Sequence, residues 1–460
     1  MKKRTYQEGT HRHFLALALP LTLATITTPV LGAVDTAVVG YLDSPHYLGG
    51  VAVAALIFNT LYWLFGFLRV STSGFTAQAA GRSSASDMNI LFARPLLLAA
   101  LIGSLFILFQ HPIREAAFAL LQPPAQVAAQ ADAYFSFRIW GAPFALMQYV
   151  VIGWLVGSSK VNIALLLQLG ANVLNMGLDV LFVFYIEMGA AGVGLATLIA
   201  EVSAAAAGLS YVLWKTRMPF SLFRSGSLWK KEPLLHMLRV NRDLFIRTTC
   251  LLAVFVWFTS SGARFGEVIL AANAILFQIH FIMAYFFDGL SNAGSITSGR
   301  AIGRQNKPLL WKAMKIGMLW SGIVAAAATA VMLLAGPSIV GWFTSIAEVQ
   351  ETAVKYSGWV VWFPAAGFAG PAVWILYWCD ADRSNSQFAD IFNDCLFFRV
   401  MGVYSYSRKP WTLAGVYSIF TFPFCRTGSL YSAAAERSFR SSEYGEKIGK
   451  IRTKKEPFPF

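Results

Sequence analysis

Long apolar segments separated by short polar ones dominate the pattern of this chain. Stretches such as "LLLAALIGSLFILF" (Leu96–Phe109) and "SGIVAAAATAVMLLAG" (Ser321–Gly336) lie within still longer apolar segments. Because a helix needs about 20 apolar residues to cross a membrane, each segment predicts a transmembrane helix. The pattern predicts spans at residues 14–42, 48–70, 91–110, 131–157, 161–186, 189–213, 243–262, 268–298, 313–341 and 355–378.

The composition agrees with this prediction. Hydrophobic residues make up 56% of the 460 residues and charged residues only 13%, whereas a soluble globular chain carries roughly 25% charged residues. We therefore expect an all-α polytopic membrane protein. The basic start "MKKRTYQEGTHRHF" does not predict a cleavable signal peptide, because the apolar stretch behind it is too long and similar stretches recur downstream.

The net charge of +14 could suggest nucleic acid binding, but its distribution favours a membrane explanation. Basic residues collect at the N-terminus and in alternate loops, above all in residues 214–242 and 300–315. Lys and Arg are enriched in the cytoplasmic loops of membrane proteins. We therefore expect a multi-pass inner (cytoplasmic) membrane protein with a cytoplasmic N-terminus and no nucleic acid partner.

An internal repeat predicts the domain organisation. "AALIF" (Ala54–Phe58) in the first half resembles "NAILF" (Asn273–Phe277) in the second. We expect two tandem six-helix bundles, an arrangement common in secondary transporters, whose substrate sites lie near mid-membrane. The predicted domains are an N-terminal bundle at 1–213, a basic cytoplasmic linker at 214–242, a C-terminal bundle with four recognisable helices at 243–378, and an atypical basic tail at 379–460.

The repeat also predicts two further helices after residue 378, and the sequence does not supply them. The segment "TLAGVYSIFTFPF" (Thr412–Phe424) is too short to span a membrane. One hypothesis is that the residues after about 370 are translated out of frame or truncated. The alternative is a soluble cytoplasmic tail. Reading the gene in its other two frames decides between them.

Few charged residues lie inside the predicted spans, and each costs about 2.5–3.5 kcal/mol at a helix centre, so each calls for a partner or a function. Asp35 and Asp179 lie equally far from the outer ends of their spans, and Thr197 lies at a similar depth on the next helix. The charged residues inside the spans are Asp35, Arg69, Arg138, Asp179, Glu201, Arg247 and Asp288.

The polar residues of the fifth span share one helical face. Asn172, Asn175 and Asp179 are spaced i, i+3 and i+7. Two carboxylates in a poorly hydrated cavity can bind a proton, or a sodium ion with amide and hydroxyl oxygens, and release it when water enters. The alternative is that Asn175 and Asp179 only satisfy each other or a backbone group.

Three further residues are weaker candidates for the same cavity. Asn172 belongs to the polar face of the fifth span, and Glu201 lies one turn beyond Thr197. Asp288 lies nearer the cytoplasmic side and could pair with Arg300 or its neighbours. For Glu201 and Asp288, a purely structural role is the stronger interpretation.

Motifs for other chemistry are absent from the sequence. It contains no HExxH, no DDxxD and no P-loop, which argues against a membrane-embedded enzyme and against ATP-driven pumping. The four cysteines show no metal-binding spacing. We therefore expect no catalytic residues, no cofactor beyond the coupling ion, and no metal beyond a possible Na⁺ at the Asp35, Asn175, Asp179 and Thr197 group.

Three stretches resemble the multidrug and toxic compound extrusion (MATE) transporters, in particular the DinF-like subfamily. They are "LALPLTLATITTPVLGAVDTAVVGYL" (Leu15–Leu42), "NVLNMGLDVLFVFYIEMGAAGVGLATLIAE" (Asn172–Glu201) and "LAANAILFQIHFIMAYFFDGLSNAGSITSGRAIGR" (Leu270–Arg304). The resemblance covers roughly residues 10–370. It implies twelve helices in two bundles around a V-shaped cavity, and export of drugs in exchange for protons or sodium.

The resemblance also implies roles for individual residues. The coupling acids fall on Asp35 and Asp179, with Asn175 and Thr197 beside them, and the bend-forming proline of the first helix falls on Pro20. The predicted function is a monomeric secondary antiporter in the lipid bilayer that exports small, cationic amphipathic drugs or toxins. The alternatives are a flippase for lipid-linked precursors, which favours a basic cavity, and a membrane-embedded enzyme.

Overall fold

A computed structural model describes residues 8–42, 44–218, 226, 228–263 and 265–367. The ordered elements within these residues are helices, with no strand among them. The chain folds as two compact units. The N-terminal unit comprises residues 15–252, and the C-terminal unit comprises residues 1–14 together with 253–460. The predicted aberrant tail at 379–460 lies outside the described residues.

Ten helices lie wholly or mainly in the N-terminal unit among its described residues. The first starts in the other unit, the tenth continues into it, and two of the others are followed directly by short helical turns. A 3₁₀ turn, Ile139–Gly141, follows α6, and a π turn, Leu181–Tyr185, follows α8. The first nine helices are α1 His11–Gly40, α2 Pro45–Leu64, α3 Phe67–Gly81, α4 Ala85–Leu108, α5 Gln110–Leu121, α6 Ala125–Arg138, α7 Ala142–Gly157, α8 Val161–Val180 and α9 Gly189–Thr216.

Small residues allow the helices of this unit to pack closely. A Cβ atom added to Gly153 on α7 would lie 2.5 Å from the carbonyl oxygen of Arg69 on α3, and one added to Gly157 would lie 2.4 Å from that of Ser73. In a bilayer, where lipid is as apolar as the side chains, such close backbone contact is a main source of helix association. Glycine therefore holds α3 against α7.

The predicted second span ends too early in the sequence. We expected it to stop at residue 70, where polar residues begin, but helix continues to Gly81 in α3. Ser71, Thr72 and Thr76 of α3 are buried. Hydropathy missed this extension because these small hydroxyl side chains lie against the glycines of α7 rather than against lipid.

The C-terminal unit begins within α10, Lys231–Ala263, which itself begins inside the predicted linker. It continues with α11 Glu267–Gly303, α12 Lys307–Phe343, α13 Ala347–Tyr356 and α14 Gly358–Gly367. Residues such as Leu276, Met332, Val349 and Val360 from four different helices form one apolar core. Close van der Waals packing of these side chains holds α11 to α14 together, because lipid is as apolar as they are.

Seven helices or helix pairs of the described chain are long and apolar enough to cross a membrane. They coincide with seven of the predicted spans and confirm the all-α membrane class. The other predicted spans, 14–42, 243–262 and 355–378, include residues or side chains outside the described part of the chain. The seven are Pro45–Gly81, Asp87–Leu108, Ala125–Gly157, Val161–Tyr185, Gly189–Thr216, Glu267–Gly303 and Lys307–Phe343.

Candidate functional site

Three helices of the N-terminal unit carry the four residues predicted to bind the coupling ion. α1 carries Asp35, α8 carries Asn175 and Asp179, and α9 carries Thr197. Asn175 and Asp179 are one helical turn apart, so their side chains lie on the same face of α8. The structure places this face against α9 and brings Asp35 to it.

The carboxamide of Asn175 lies at the centre of this group. When its nitrogen faces the acids, that nitrogen lies 3.2 Å from Asp35 Oδ1 and 3.3 Å from Asp179 Oδ2, and donates to both. Its oxygen then accepts from the backbone N–H of Thr197 at 3.2 Å. The hydrogen-bond network selects this orientation, because the other one would place the amide oxygen against two carboxylates. Asn175 thus joins α1, α8 and α9.

The two acids also interact directly. The carboxyl groups of Asp35 and Asp179 lie within hydrogen-bonding reach of each other. Two ionised carboxylates at this separation repel each other, and the repulsion is relieved by one shared proton or by a bound cation. The pair therefore has the chemistry of a small-cation site.

Burial of the two acids favours the binding of a proton or a small cation. Asp179 is fully buried and Asn175 is 2% exposed, whereas Asp35 is half-buried. The Oδ1 atom of Asp179 is buried and has no hydrogen-bond partner within the described part of the chain. Because a buried carboxylate oxygen without a donor is costly, this atom is a favourable place for a proton or a small cation.

The local backbone positions these side chains. Thr197 Oγ1 donates to the carbonyl of Val193 at 2.9 Å, and lies 3.3 Å from the end of the Asn175 amide that faces α9. A Cβ atom added to Gly194 would lie 2.5 Å from the carbonyl oxygen of Tyr134, so this glycine allows α9 to approach α6. The small residues that open α9 thus permit the close helix packing that the site needs.

The other predicted residues are not among those that Asn175 bridges. The side-chain nitrogen of Asn172 is buried and has no hydrogen-bond partner among the described residues. Asp288 lies on α11 in the C-terminal unit, half-buried, and Arg300 pairs with Glu8 at 3.2 Å. Pro20 lies inside α1, which continues as one helix from His11 to Gly40. A proline lacks the N–H of a helical hydrogen bond, so the turn before it is easier to bend.

Glu201 has a partner that the sequence did not assign. Its carboxylate forms an ion pair with Arg138, with Nη2 and Oε1 3.5 Å apart. The sequence pattern identifies Arg138 as a charge inside a span and assigns it no role. Its interaction with Tyr134 could have been predicted, since the two residues are one helical turn apart and both side chains are long enough to interact.

The described residues contain no candidate metal site. Among them, no group of three or more His, Cys, Asp or Glu side chains could hold a metal ion.

Comparisons with known proteins identify the family. The MatE family profile matches residues 20–181 and 245–373. DNA damage-inducible protein F of Escherichia coli K12 is 38% identical over 353 residues, which cover 76% of this chain and 76% of that protein. A probable multidrug resistance protein NorM of Bradyrhizobium diazoefficiens is 25% identical over 425 residues, covering 85% and 86% of the two chains.

A solved structure extends the likeness to the fold. An outward-facing multidrug resistance MATE family transporter of the MOP superfamily superposes with a TM-score of 0.76 at 19% identity, over 97% of each chain. The family profile and the 38% identical relative together cover most of the chain. This protein therefore belongs to the MatE family, with a DinF-like sequence, and is a multi-span membrane transporter rather than an enzyme.

Proposed function

We propose that this chain is a secondary active antiporter that exports organic, cationic amphipathic compounds in exchange for H⁺ or Na⁺. It would act in the inner membrane with its N-terminus on the cytoplasmic side. Family membership supports drug export, and relatives such as the NorM protein are named for multidrug resistance. The proposals for the coupling ion and for the positive charge of the substrate are based on the residues of the site.

The observation that carries the proposal is the bridge made by Asn175. One amide nitrogen donates to acids on two different helices, and Asp179 Oδ1 is left buried without a donor among the described residues. Binding of a proton or Na⁺ would neutralise charge between α1 and α8, and release of the ion would restore the repulsion. An ion that binds one conformation better than another shifts the population between them.

The same group supports cation export over the flippase alternative. The acids that lie at least half-buried in the N-terminal unit include Asp35, Asp179 and Glu201, against basic residues that include Arg138, which pairs with Glu201, and Arg94. A site for a lipid-linked pyrophosphate would need an excess of basic groups, because phosphates are held by Arg and Lys. The acidic balance here suits a cation.

Transport into and out of proteoliposomes tests the proposal. Wild-type protein should drive drug export under an imposed proton gradient or an imposed sodium gradient, each applied alone. Asp35→Asn and Asp179→Asn remove one charge each with little change in shape, and should abolish ion-driven export.

Asp132→Asn is the matched control, because Asp132 pairs with Arg114 at the surface, at 2.7 Å. It should transport as the wild type does. Retained ion-driven export in both site variants, with equal protein in the vesicles, would overturn the site. Transport of a lipid-linked precursor without drug export would favour the flippase.

A further inference from the structure

Arg138 and Glu201 form a second buried polar group in the N-terminal unit. Their side chains are only 12% and 15% exposed. Arg138 is the last residue of α6, directly before the 3₁₀ turn, and Glu201 lies one turn beyond Thr197 on α9. Buried ion pairs are costly to desolvate, so stability alone is a weak reason for keeping one.

Aromatic rings hold the guanidinium group of Arg138 in place. Its central carbon lies 5.0 Å from the ring centre of Phe58, 5.7 Å from that of Tyr62 and 5.5 Å from that of Tyr134. Arginine suits such a site because its planar cation is weakly hydrated and stacks on aromatic faces. The charge is therefore fixed between α2 and α6.

The backbone also makes room for this pair. A Cβ atom added to Gly141 in the 3₁₀ turn would lie 2.5 Å from Glu201 Oε2. Tyr62 on α2 and Tyr149 on α7 are titratable groups close enough to Glu201 to feel its charge. The acid is thus surrounded by polar groups from three helices besides its own.

A series of side-chain contacts connects this pair to the ion-coupling group. Arg138 Nη1 donates to the Tyr134 hydroxyl, which is in turn within hydrogen-bonding reach of Thr197. Because a guanidinium only donates, the Tyr134 oxygen must accept from it, and the phenolic proton remains available for Thr197. Thr197 contacts Asn175, which bridges the two acids.

We propose that Arg138 is a positioning residue for the ion-coupling site, acting through Tyr134 and Thr197, and that Glu201 serves to hold it there. Its fixed positive charge also acts on both Asp35 and Asp179. A nearby cation opposes the binding of another cation, so Arg138 keeps the coupling ion weakly bound enough to be released. This inference rests on the proposed function of the acids.

The test removes the pair without leaving a single buried charge. Arg138→Gln/Glu201→Gln neutralises both partners, and Arg138→Lys keeps the charge but loses the planar fork. Arg114→Gln/Asp132→Asn is the control, since it removes an ion pair of the same unit that is 30% and 43% exposed. For each purified full-length protein, the melting temperature is measured against Na⁺ concentration and against pH. The ion concentration that gives half of the stabilisation reports binding without requiring transport.

The double variant should need a lower concentration of the coupling ion, by about threefold or more, because the positive charge of Arg138 acts on Asp35 and Asp179, whereas no such effect of Glu201 on them is resolved. Arg138→Lys should shift in the same direction by less, and the control should match the wild type. If the double variant does not accumulate in the membrane, the half-saturating ion concentration of Arg138→Lys is compared with that of the wild type instead. The inference would be overturned if the folded variants and the wild type had the same half-saturating ion concentration. Arg138 and Glu201 would then be only a structural ion pair.

Transport measured on the same proteins separates the two claims. Wild-type vesicles that bind the ion but export no drug would contradict the proposed function and leave the role of Arg138 standing. Wild-type protein whose stability responds to neither ion would overturn the coupling site and this inference together.

Discussion

The two units of this transporter differ in what their interiors contain. In the N-terminal unit, Asn175, Asp179 and the Arg138–Glu201 pair lie inside the helix bundle. In the C-terminal unit, the described residues of α11 to α14 form an apolar cluster, the buried polar residues beside it are uncharged, such as Asn273 and Ser298, and the ion pairs recorded there join Glu8 to Arg300 and Arg304. Among the described residues, the two units thus differ in whether charged side chains lie inside the bundle.

This difference agrees with the place proposed for the coupling site. A buried charge inside a membrane is costly and is retained where it has a partner or a function. The repeat keeps the aromatic position, with Phe58 in one half and Phe277 in the other, but Ala54 corresponds to Asn273. The halves thus share packing positions while their polar residues differ, and the following changes test how far the asymmetry goes.

The largest effect should come from Asn175, and the buried amide Asn273 of the C-terminal unit provides the comparison. Asn175→Leu removes the donor that joins Asp35 to Asp179, so ion-driven export should fall about 10- to 100-fold, the loss typical of removing a supporting ligand contact. Asn273→Leu changes the buried amide of the C-terminal unit, which is 9% exposed. It should leave export close to that of the wild type. Drug export per molecule of protein in proteoliposomes measures both.

Equal losses of ion-driven export in Asn175→Leu and Asn273→Leu would contradict the proposed difference between the units, since ion coupling would then depend on both. Little loss in either would remove Asn175 from the site. The amount of folded protein in the vesicles, measured by size-exclusion chromatography after extraction, controls for misfolding.

A second comparison concerns the ion pairs. Arg138→Gln leaves Glu201 buried without its partner and should cost about 3–5 kcal/mol of the free energy of unfolding. Glu8→Gln in the C-terminal unit breaks the more exposed pairs with Arg300 and Arg304, and should cost about 2 kcal/mol or less in total. Melting temperatures measured in detergent show which variant is destabilised more. A larger decrease in melting temperature for Glu8→Gln than for Arg138→Gln would contradict the account.

Helix packing around the site gives a smaller effect. Gly194→Ala places a methyl group against the Tyr134 backbone and should destabilise the protein by about 1–3 kcal/mol. Gly177→Ala on the exposed face of α8 meets no atom within 4 Å. It should be neutral or slightly stabilising, because alanine favours helix. Denaturation of both variants tests whether close contact of α6 and α9 is needed.

The smallest effect concerns pH at the start of α1. Burial lowers the pKa of His13, while Glu8 raises it and Arg300 lowers it. A histidine whose folded pKa is depressed binds fewer protons when folded than when unfolded, so stability is lost as the pH falls below the ordinary value of about 6.5. His13→Gln should therefore show a smaller drop in melting temperature than the wild type between pH 7.5 and 5.5. An equal drop would assign the pH response to other groups.

The sequence predicted much of the site because helical periodicity is a local property. Asn175 and Asp179 could be placed on one face of α8, and the common depth of Asp35, Asp179 and Thr197 placed three helices together. Asn172 shares the predicted face, yet its amide nitrogen has no partner among the described residues. Periodicity gives the direction of a side chain but not what it meets there.

Tertiary contacts explain what the sequence could not reveal. Arg138 is stabilised by Phe58 and Tyr62 from α2 and by Glu201 from α9, all distant along the chain. The end of α3 was missed because its hydroxyl residues are buried against the glycines of α7. Both features depend on which helices become neighbours.

The central claim is that Asp35 and Asp179 hold the coupling ion, and drug-evoked ion movement tests it most directly. Drug is added to vesicles containing wild-type protein, Asp179→Asn or Asp288→Asn, and the release of protons or Na⁺ is recorded without an imposed gradient. We predict ion release from wild type and from Asp288→Asn, and none from Asp179→Asn. Ion release that survives Asp179→Asn but disappears in Asp288→Asn would contradict the account.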